Sequence, residues 1–572
     1  MPMTLRDFVA SELSKLPGSR TLTLHALVSS PQREQELFPY AQISKNHKIM
    51  SQNILLLVSE DADPEIAPST DSTTTPRILC AALEATLYLF PATSSSILYI
   101  GKIDTTGFSK VAPSPARTLA RATIDYFVKP DTRPIECGQR VWVHLFARAQ
   151  SQYLFPDSAD WKNKRVLNDA GLVRWWWSLF GDVARDVAEI RSDQPESRFK
   201  GTKMWYILPG FNDIEAYHTL SSGSSFKLAQ SGELPWSYGH PYDDPSITFP
   251  LPLNPTDNST VDSPHHEDST KVKSIACLIP TFPDDPKARF LGEIASTTSE
   301  ADVPPPAPKP ASRSTSPTTP TRMIRPVSSL KTSESSPHSA SDSPSQSPLK
   351  KRRRVDANDS PERALNADGD DATGTVAADE KPALETSGAT KVVSPGAPSM
   401  PLSNPSTHPK NNTHAEPELV RRGRLALSAV SANEFWERMG FRQECALGAI
   451  TAFFVTLFED LETPPKPDSK IADEYTPLPT HTRMMQSLMN HAFSTPEKAI
   501  RSTQLLETSI RTLCDGVVAT TEETQGGNSK SSFYHAHIHK NVTNNNPPLV
   551  PRDNAAVLVP VNVLQVKRKA RR

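Results

Sequence analysis

Two apolar periods alternate along this chain, and one long stretch follows neither. Leu5, Phe8, Val9, Leu13 and Leu16 fall on one helical face. Thr4-Leu5-Arg6-Asp7 opens that helix as a capping box with Asp in place of Glu. Strand-like runs follow at Asn53–Ser59, Arg77–Phe90 and Ser96–Ile103, the last two as a hairpin around Pro91-Ala92-Thr93. A helix is expected over Ser114–Val128, with Ser114 as N-cap and Pro115 at the first helical position. Val141–Ala147 reads as a strand, and Leu167–Ala188 as a helix carrying Trp175, Trp176 and Trp177. Three consecutive tryptophans cannot all face inward on a helix, so at least one should line a groove or interface.

The period is lost over Leu291–Glu434, which holds no Phe, Trp or Tyr. At the chain's 7% aromatic content, a folded stretch of that length would hold roughly ten, so no packed core is expected there. The expected organisation is a first folded part at 1–295, a disordered Pro/Ser-rich insertion at 296–418, a second folded part at 419–565 and a basic tail at 566–572. A smaller polar loop is expected at Asn254–Lys271. The second part reads as a helix over Phe435–Asp460, another over Ser494–Cys514 opened by Ser494-Thr495-Pro496-Glu497, and a strand over Ala555–Val566. With one strand and few helices it does not look self-sufficient, so the two parts are expected to pack together into one mixed α/β domain.

Composition adds exclusions. The net charge of −2 gives no global field for nucleic acid or membrane. Five scattered cysteines fit a reducing compartment and neither a disulfide frame nor a zinc site. Met1–Asp7 lacks an apolar signal core, and the longest apolar run, Ala446–Phe458, is too short to span a bilayer. A soluble intracellular protein with no membrane partner is expected. Inside the insertion, Lys350-Lys351-Arg352-Arg353-Arg354 is a compact basic run of the kind a nuclear import receptor grips. Ser316, Thr319, Ser336, Ser343, Ser347, Ser360 and Ser394 each precede proline, where phosphorylation would offset that charge.

Candidate chemistry concentrates in Phe282-Pro283-Asp284-Asp285-Pro286-Lys287-Ala288-Arg289-Phe290. The prolines are expected to hold the segment out of a regular helix, and the aromatics to draw its charges toward an interior. Alone, the segment reads equally as a surface turn with a solvated ion pair. The strand ending at Asp104-Thr105-Thr106-Gly107 runs toward a helix N-terminus, a recurrent anion site, and Arg117 and Arg121 lie one turn apart on that helix. His535, His537 and His539 alternate, and on a strand would share a face able to hold a metal. No acidic or Cys partner stands nearby, and an exposed edge strand or loop fits them better.

Three segments together carry a family resemblance: Lys102-Ile103-Asp104-Thr105-Thr106-Gly107; Ser151-Gln152-Tyr153-Leu154-Phe155-Pro156-Asp157-Ser158 with Trp175-Trp176; and Phe282 to Phe290. The chain resembles the fungal histone acetyltransferases named for regulation of Ty transposition, which are structurally related to the CREB-binding-protein acetyltransferases. The resemblance covers roughly 1–293 and resumes near 425, at Phe435-Trp436-Glu437-Arg438. It implies a mixed α/β fold around a central sheet, acetyl-CoA as co-substrate and no metal. It also implies acetyl transfer to lysines of histone H3, presented with H4 by chaperones of the nucleosome-assembly and anti-silencing types, in the nucleus and in support of chromatin assembly and genome stability. By motif position the cofactor contacts would be Ile103, Asp104, Thr105, Pro113, Ser114, Pro115, Ala116, Arg117, Phe146, Gln150, Arg165, Val166, Leu167 and Trp175. Gln150 stands where the family has a small residue, and Arg165 where it has His. Asp285 would exchange the proton, supported by Asp284, Asp104, Tyr153 and Trp176, and Lys287 would be acetylated by the enzyme itself. The competing class is a non-enzymatic nuclear adaptor for histone chaperones on the same fold.

Overall fold

The computed structural model describes residues 3–43, 47–63, 75–191, 199–221, 234–251, 274–297, 417–442, 445, 449–460, 475–518 and 532–548. The basic run at 350–354, the Ser-Pro and Thr-Pro sites, the polar loop at 254–271, the strand expected over 555–566 and the basic tail all lie outside these residues.

In chain order the described elements are α1 (Leu5–Leu13), β1 (Gly18–Val28), β2 (Gln32–Glu34), β3 (Ile49–Asp61), β4 (Arg77–Phe90), β5 (Ser95–Thr105), α2 (Ala116–Val128), β6 (Arg140–Ala147), α3 (Asp169–Arg191), β7 (Thr202–Ile207), α4 (Asp213–Ser221) and β8 (Trp236–Tyr238). They continue with α5 (Pro286–Ser296), α6 (Glu418–Ser428), α7 (Ala432–Met439), β9 (Ala452–Glu459), α8 (Leu478–Met489), α9 (Pro496–Val518) and β10 (His539–Asn546). The local signals at α1 hold: the Thr4 side chain accepts from the Asp7 N–H at 3.1 Å.

These strands form one mixed sheet in the order β10-β1-β3-β4-β5-β6-β9-β7-β8, with β2 added beside β3. β5 runs parallel to β6 and β7 to β8; the other neighbours are antiparallel. The expected mixed α/β architecture is therefore present, but its weave departs from the sequence reading. β9 inserts between β6 and β7, and β10 pairs with β1, so the chain after 417 contributes two strands to a sheet begun before 300. Residues 1–305 and 414–572 accordingly form one compact unit.

The helix expected over Phe435–Asp460 is a correction. The chain there forms α7, ending at Met439, and then the strand Ala452–Glu459. Seven of that strand's eight residues are buried, because neighbours flank it and helices cover both faces. A strand buried on both sides has no polar alternation, so periodicity cannot separate it from a buried helix. Its Phe-Phe-Val-Thr-Leu-Phe content was the sounder guide.

One sheet face packs on α1, α2 and α3 through Leu13, Leu119, Phe127 and Phe180. The opposite face carries two separate clusters. α8 and α9 cover Leu55, Leu57 and Leu79, while α5, α6 and α7 cover Tyr99, Trp142 and Ile207. Tyr99 and Phe282 from the second of these clusters, and Tyr153 packed against the first, line one cleft between them.

At the sheet edge, His25 and His539 oppose each other across β1 and β10. Burial holds His25 down to about 3, with His539 and Arg77 adding to it. Burial also holds His539 down to about 4, with His535 and Arg77 adding to it. Both are neutral in the fold, so their contribution is complete above the unfolded value of about 6.5 and is lost as pH falls toward the folded values. The denaturant midpoint is therefore expected to drop between pH 6.5 and 4, and His539→Gln to flatten that dependence. For β9, Phe458→Ala empties a fully buried position and is expected to cost about 3–5 kcal/mol in urea unfolding.

Candidate active site

Phe282 anchors the aspartate segment by stacking on Tyr99, with centroids 4.2 Å apart and planes within 5°. The Tyr99 hydroxyl donates to the Pro283 carbonyl at 3.3 Å. Asp284 then adopts φ +59°, in the left-handed region that Asp tolerates better than most residues. That turn separates the two carboxylates. The Asp284 side chain is 75% exposed and meets Lys102 Nζ at 2.9 Å, whereas that of Asp285 is fully enclosed.

The expectation that prolines keep this segment out of a helix is corrected. Asp285 is the N-cap of α5 and Pro286 its first residue. Proline is suited there, because its missing N–H would have had no partner. Asp285 Oδ1 accepts from the Lys287 N–H at 2.8 Å, and Oδ2 is ion-paired with Lys287 Nζ. Lys287 lies 4.5 Å from the Phe453 ring centroid and 5.5 Å from that of Phe282. Desolvation holds its pKa below the usual lysine value, against the pull of Asp285.

The cleft above this turn measures about 890 Å³. Gly101 and Lys102 of β5, Phe146 of β6, then Arg148, Gln150 and Tyr153 line it opposite Asp284 and Asp285, with Glu34 and Glu36 at another side. Lys102 bridges Glu84 at 3.0 Å and Asp284. Burial would lower its pKa, but Glu84 and Asp284 outweigh burial and raise it. Burial lifts the Tyr153 phenol to about 12. Tyr99 is also raised, by burial and then by Asp285.

Asp104 lies at the end of β5 and does not line the cleft. Its Oδ2 accepts the N–H groups of Tyr153, Leu154 and Phe155 at 2.7, 2.9 and 3.2 Å. Its Oδ1 accepts from the Thr105 N–H at 2.7 Å and Lys164 Nζ at 2.9 Å. A carboxylate so occupied fixes backbone rather than meeting a reactant.

Pro113–Arg117 lead into α2, whose N-cap is Pro115, one residue after the expected Ser114; the Ser114 Oγ still accepts from the Ala116 N–H at 3.4 Å. Arg117 lies 5.7 Å from the half-buried Trp175 ring and pairs with Asp182 at 2.6 Å. Arg121 pairs with Asp186. The arginines thus face α3 and its acids. Spacing placed them on one face, but only the packing shows which neighbour that face meets. Trp175 is the partly open member of the triplet, while Trp176 is enclosed between Trp175 and Phe180. Val166 and Leu167 are exposed apolar residues preceding α3.

Two groups of expected residues therefore emerge. Phe146, Gln150, Tyr153, Asp284 and Asp285 share the cleft, and Arg117 meets Trp175 outside it. β5 joins them through Lys102, Ile103 and Thr105. Lys102, Tyr99 and Lys164 were not singled out from sequence. Lys102 stood inside a quoted motif, but nothing in spacing signalled the other two.

The histidine triplet runs from a turn into the edge strand β10. Tyr534–Ile538 is a π-helical turn and His539 begins β10, so the three do not alternate on one strand. Among the described residues no three His, Cys, Asp or Glu side chains gather as a possible metal-ligand set, and no helix is long and apolar enough to cross a membrane.

The turn with its two diverging carboxylates borders the cleft, and the strand that helps to line it, β5, precedes α2 in the chain. Residues 116–303 match the family model described as the histone acetyltransferase KAT11-type domain. The chain is 29% identical over 289 residues to histone acetyltransferase rtt109 of Aspergillus flavus, covering 48% of this chain and 45% of that protein. It is 26% identical over 213 residues to rtt109 of Schizosaccharomyces pombe, covering 36% and 45% respectively. The crystal structure of Rtt109 from Aspergillus fumigatus superposes with a TM-score of 0.53 at 18% identity, covering 94% of this chain and 99% of that one, which supports the fold. Residues 116–303 thus resemble a KAT11-type histone acetyltransferase domain. The chain is similar to the fungal Rtt109-type acetyltransferases, in line with the resemblance its three motifs carry. The aligned regions span less than half the length of the curated relatives it matches.

One local constraint can be checked directly. Gly107 has φ +83°, and a Cβ there would meet the Lys164 Cα at 2.6 Å. Gly107→Ala is expected to cost about 1–3 kcal/mol, read as a fall in the thermal midpoint.

Proposed function

We propose that this chain transfers the acetyl group of acetyl-CoA to lysines of histone H3 held with H4 by a histone chaperone, in the nucleus. The observation that carries the reading is the Asp284–Asp285 turn at an 890 Å³ cleft walled by β5, the strand that precedes α2 in the chain. A helix N-terminus such as that of α2 offers N–H groups and a positive dipole end to anionic phosphates. Beside it, exposed Val166 and Leu167 and half-open Trp175 suit the apolar parts of the same molecule. Those features fit acetyl-CoA. Ile103, Thr105, Pro113–Arg117, Phe146, Gln150 and Arg165–Leu167 would hold it, with Trp175. When bound, it supplies an activated thioester.

The protein's task is then to deliver a neutral amine. A lysine with pKa near 10.4 must lose its proton before it can attack. Asp285 is assigned as the acceptor, and Asp284 with Lys102 shapes the entrance through their ion pair. Tyr153 borders the same space. Asp104 supports catalysis by fixing the Tyr153 backbone, and Trp176 does so by packing behind Trp175. Asp285 is already paired with Lys287, which suggests how self-acetylation at Lys287 would matter. An acetylated Lys287 carries no charge, packs against Phe282 and Phe453, and leaves Asp285 Oδ2 for the substrate. Import through the basic run at 350–354 completes the reading.

Asp285→Asn keeps a favourable N-cap residue, so the fold should persist. The turnover number is expected to fall by about 10²–10⁴, measured by mass spectrometry on chaperone-bound H3–H4. Full activity in the folded variant would remove Asp285 as the acceptor. Absence of both a thermal shift with acetyl-CoA and any acetylated product would overturn the reading.

A further inference from the structure

We propose that Lys164 is a positioning residue for the acetyl-transfer site. Its ammonium holds the Asp104 carboxylate that gathers the Tyr153 loop. The proposal rests on the acetyl-transfer reading and extends it to a residue outside the cleft.

Lys164 Nζ lies 2.9 Å from Asp104 Oδ1 and 2.7 Å from Ser158 Oγ. The side chains of Lys164 and Asp104 are each only 4% exposed. Burying both charges is costly unless each keeps its partner and the remaining polar capacity is filled. Here the capacity is filled by backbone. The other Asp104 oxygen takes three consecutive N–H groups, from Tyr153, Leu154 and Phe155. Ser158, the second acceptor of the ammonium, donates to the Phe155 carbonyl at 2.6 Å and so fastens the far end of the same loop.

The Lys164 backbone adds a third attachment. Its N–H donates to the Trp161 carbonyl at 2.9 Å. Trp161 Nε1 donates to the Gly107 carbonyl at 3.3 Å, and its ring stacks on Phe108 at 4.6 Å. Gly107 packs directly on Lys164 Cα. One buried ion pair therefore joins the end of β5, the Tyr153–Ser158 loop and the segment leading to Arg165–Leu167. All three border the proposed site, and Tyr153 carries the effect into the cleft.

Without the ammonium, Asp104 Oδ1 keeps only the Thr105 N–H, and the carboxylate is freer to turn away from the three N–H groups on Oδ2. A buried ion pair that only stabilises the fold would change the melting midpoint. A positioning residue must also change the loop and the turnover.

The test compares full-length wild type with Lys164→Met, Lys164→Gln, Lys164→Arg, Asp104→Asn and the double variant Asp104→Asn/Lys164→Met. Turnover on chaperone-bound H3–H4, KM for acetyl-CoA, and amide hydrogen exchange across 153–155 are measured. Lys164→Met is expected to speed exchange at 153–155 and to lower kcat by about ten- to a hundredfold. Lys164→Gln, which keeps a donor without charge, should fall between Met and wild type, and it stands in should Lys164→Met not fold. Lys164→Arg should restore most of both readouts. In the Asp104→Asn background the further change to Met should lower kcat no more.

Unchanged exchange at 153–155 overturns the proposal, as does unchanged kcat in a variant whose exchange has accelerated. If wild type yields no acetyl-lysine, the acetyl-transfer reading fails and the role in that chemistry falls with it. Exchange then still decides whether Lys164 holds the loop.

Discussion

The sheet depends on β9 filling the gap between β6 and β7. Every β9 residue from Ala452 to Phe458 is buried, and its backbone pairs on both sides. Removing it would leave two strand edges and two apolar faces without partners, the arrangement that sheets guard against most strongly. Because β9 lies beyond residue 417, the first folded part cannot complete its own sheet. The same holds at the far edge, where β10 covers β1. Whatever chain separates the halves, they meet within one hydrogen-bonded surface.

That weave also places the site. β9 brings Phe453 to Lys287, and α7 brings Phe435 to Phe290 with centroids 5.0 Å apart. The aspartate turn thus has residues before 300 for its chemistry and residues after 417 for part of its packing. Tyr99, stacked on Phe282, ties the same turn to β5. β5 serves both sides of the site. Lys102 points into the cleft, and Asp104 two residues later anchors the Tyr153 loop from behind. The register of β4 and β5 shifts before Lys102, where Gly101 is the extra residue of β5, and from Lys102 to Thr105 the pairing is regular.

Buried charge is handled by saturation. Asp104 has five donors, Asp285 a helix N–H and an ammonium, and Lys102 two carboxylates. Such groups rigidify a site because loosening one partner strands the others. Sequence marked Asp104, Asp284, Asp285 and Lys287 as important through the motifs they belong to. It gave no sign that Asp104 works through backbone amides, or that Asp285 begins a helix. Both facts depend on what lies across the fold from each carboxylate.

The chain's local physics determined α1, the β4–β5 hairpin, α2, α3 and the start of α9, because caps, prolines and apolar periods act within a few residues. It also carried the family resemblance, since three motifs held their order over a long span. Tertiary structure alone decided that Ala452–Glu459 is a strand, that Arg117 and Arg121 face the acids of α3, and that Lys164 meets Asp104. A doubly buried strand carries no alternation, and a charge carries no label for its partner. Those choices are made by long-range packing, where the energy of a residue is set by neighbours that the sequence places far away.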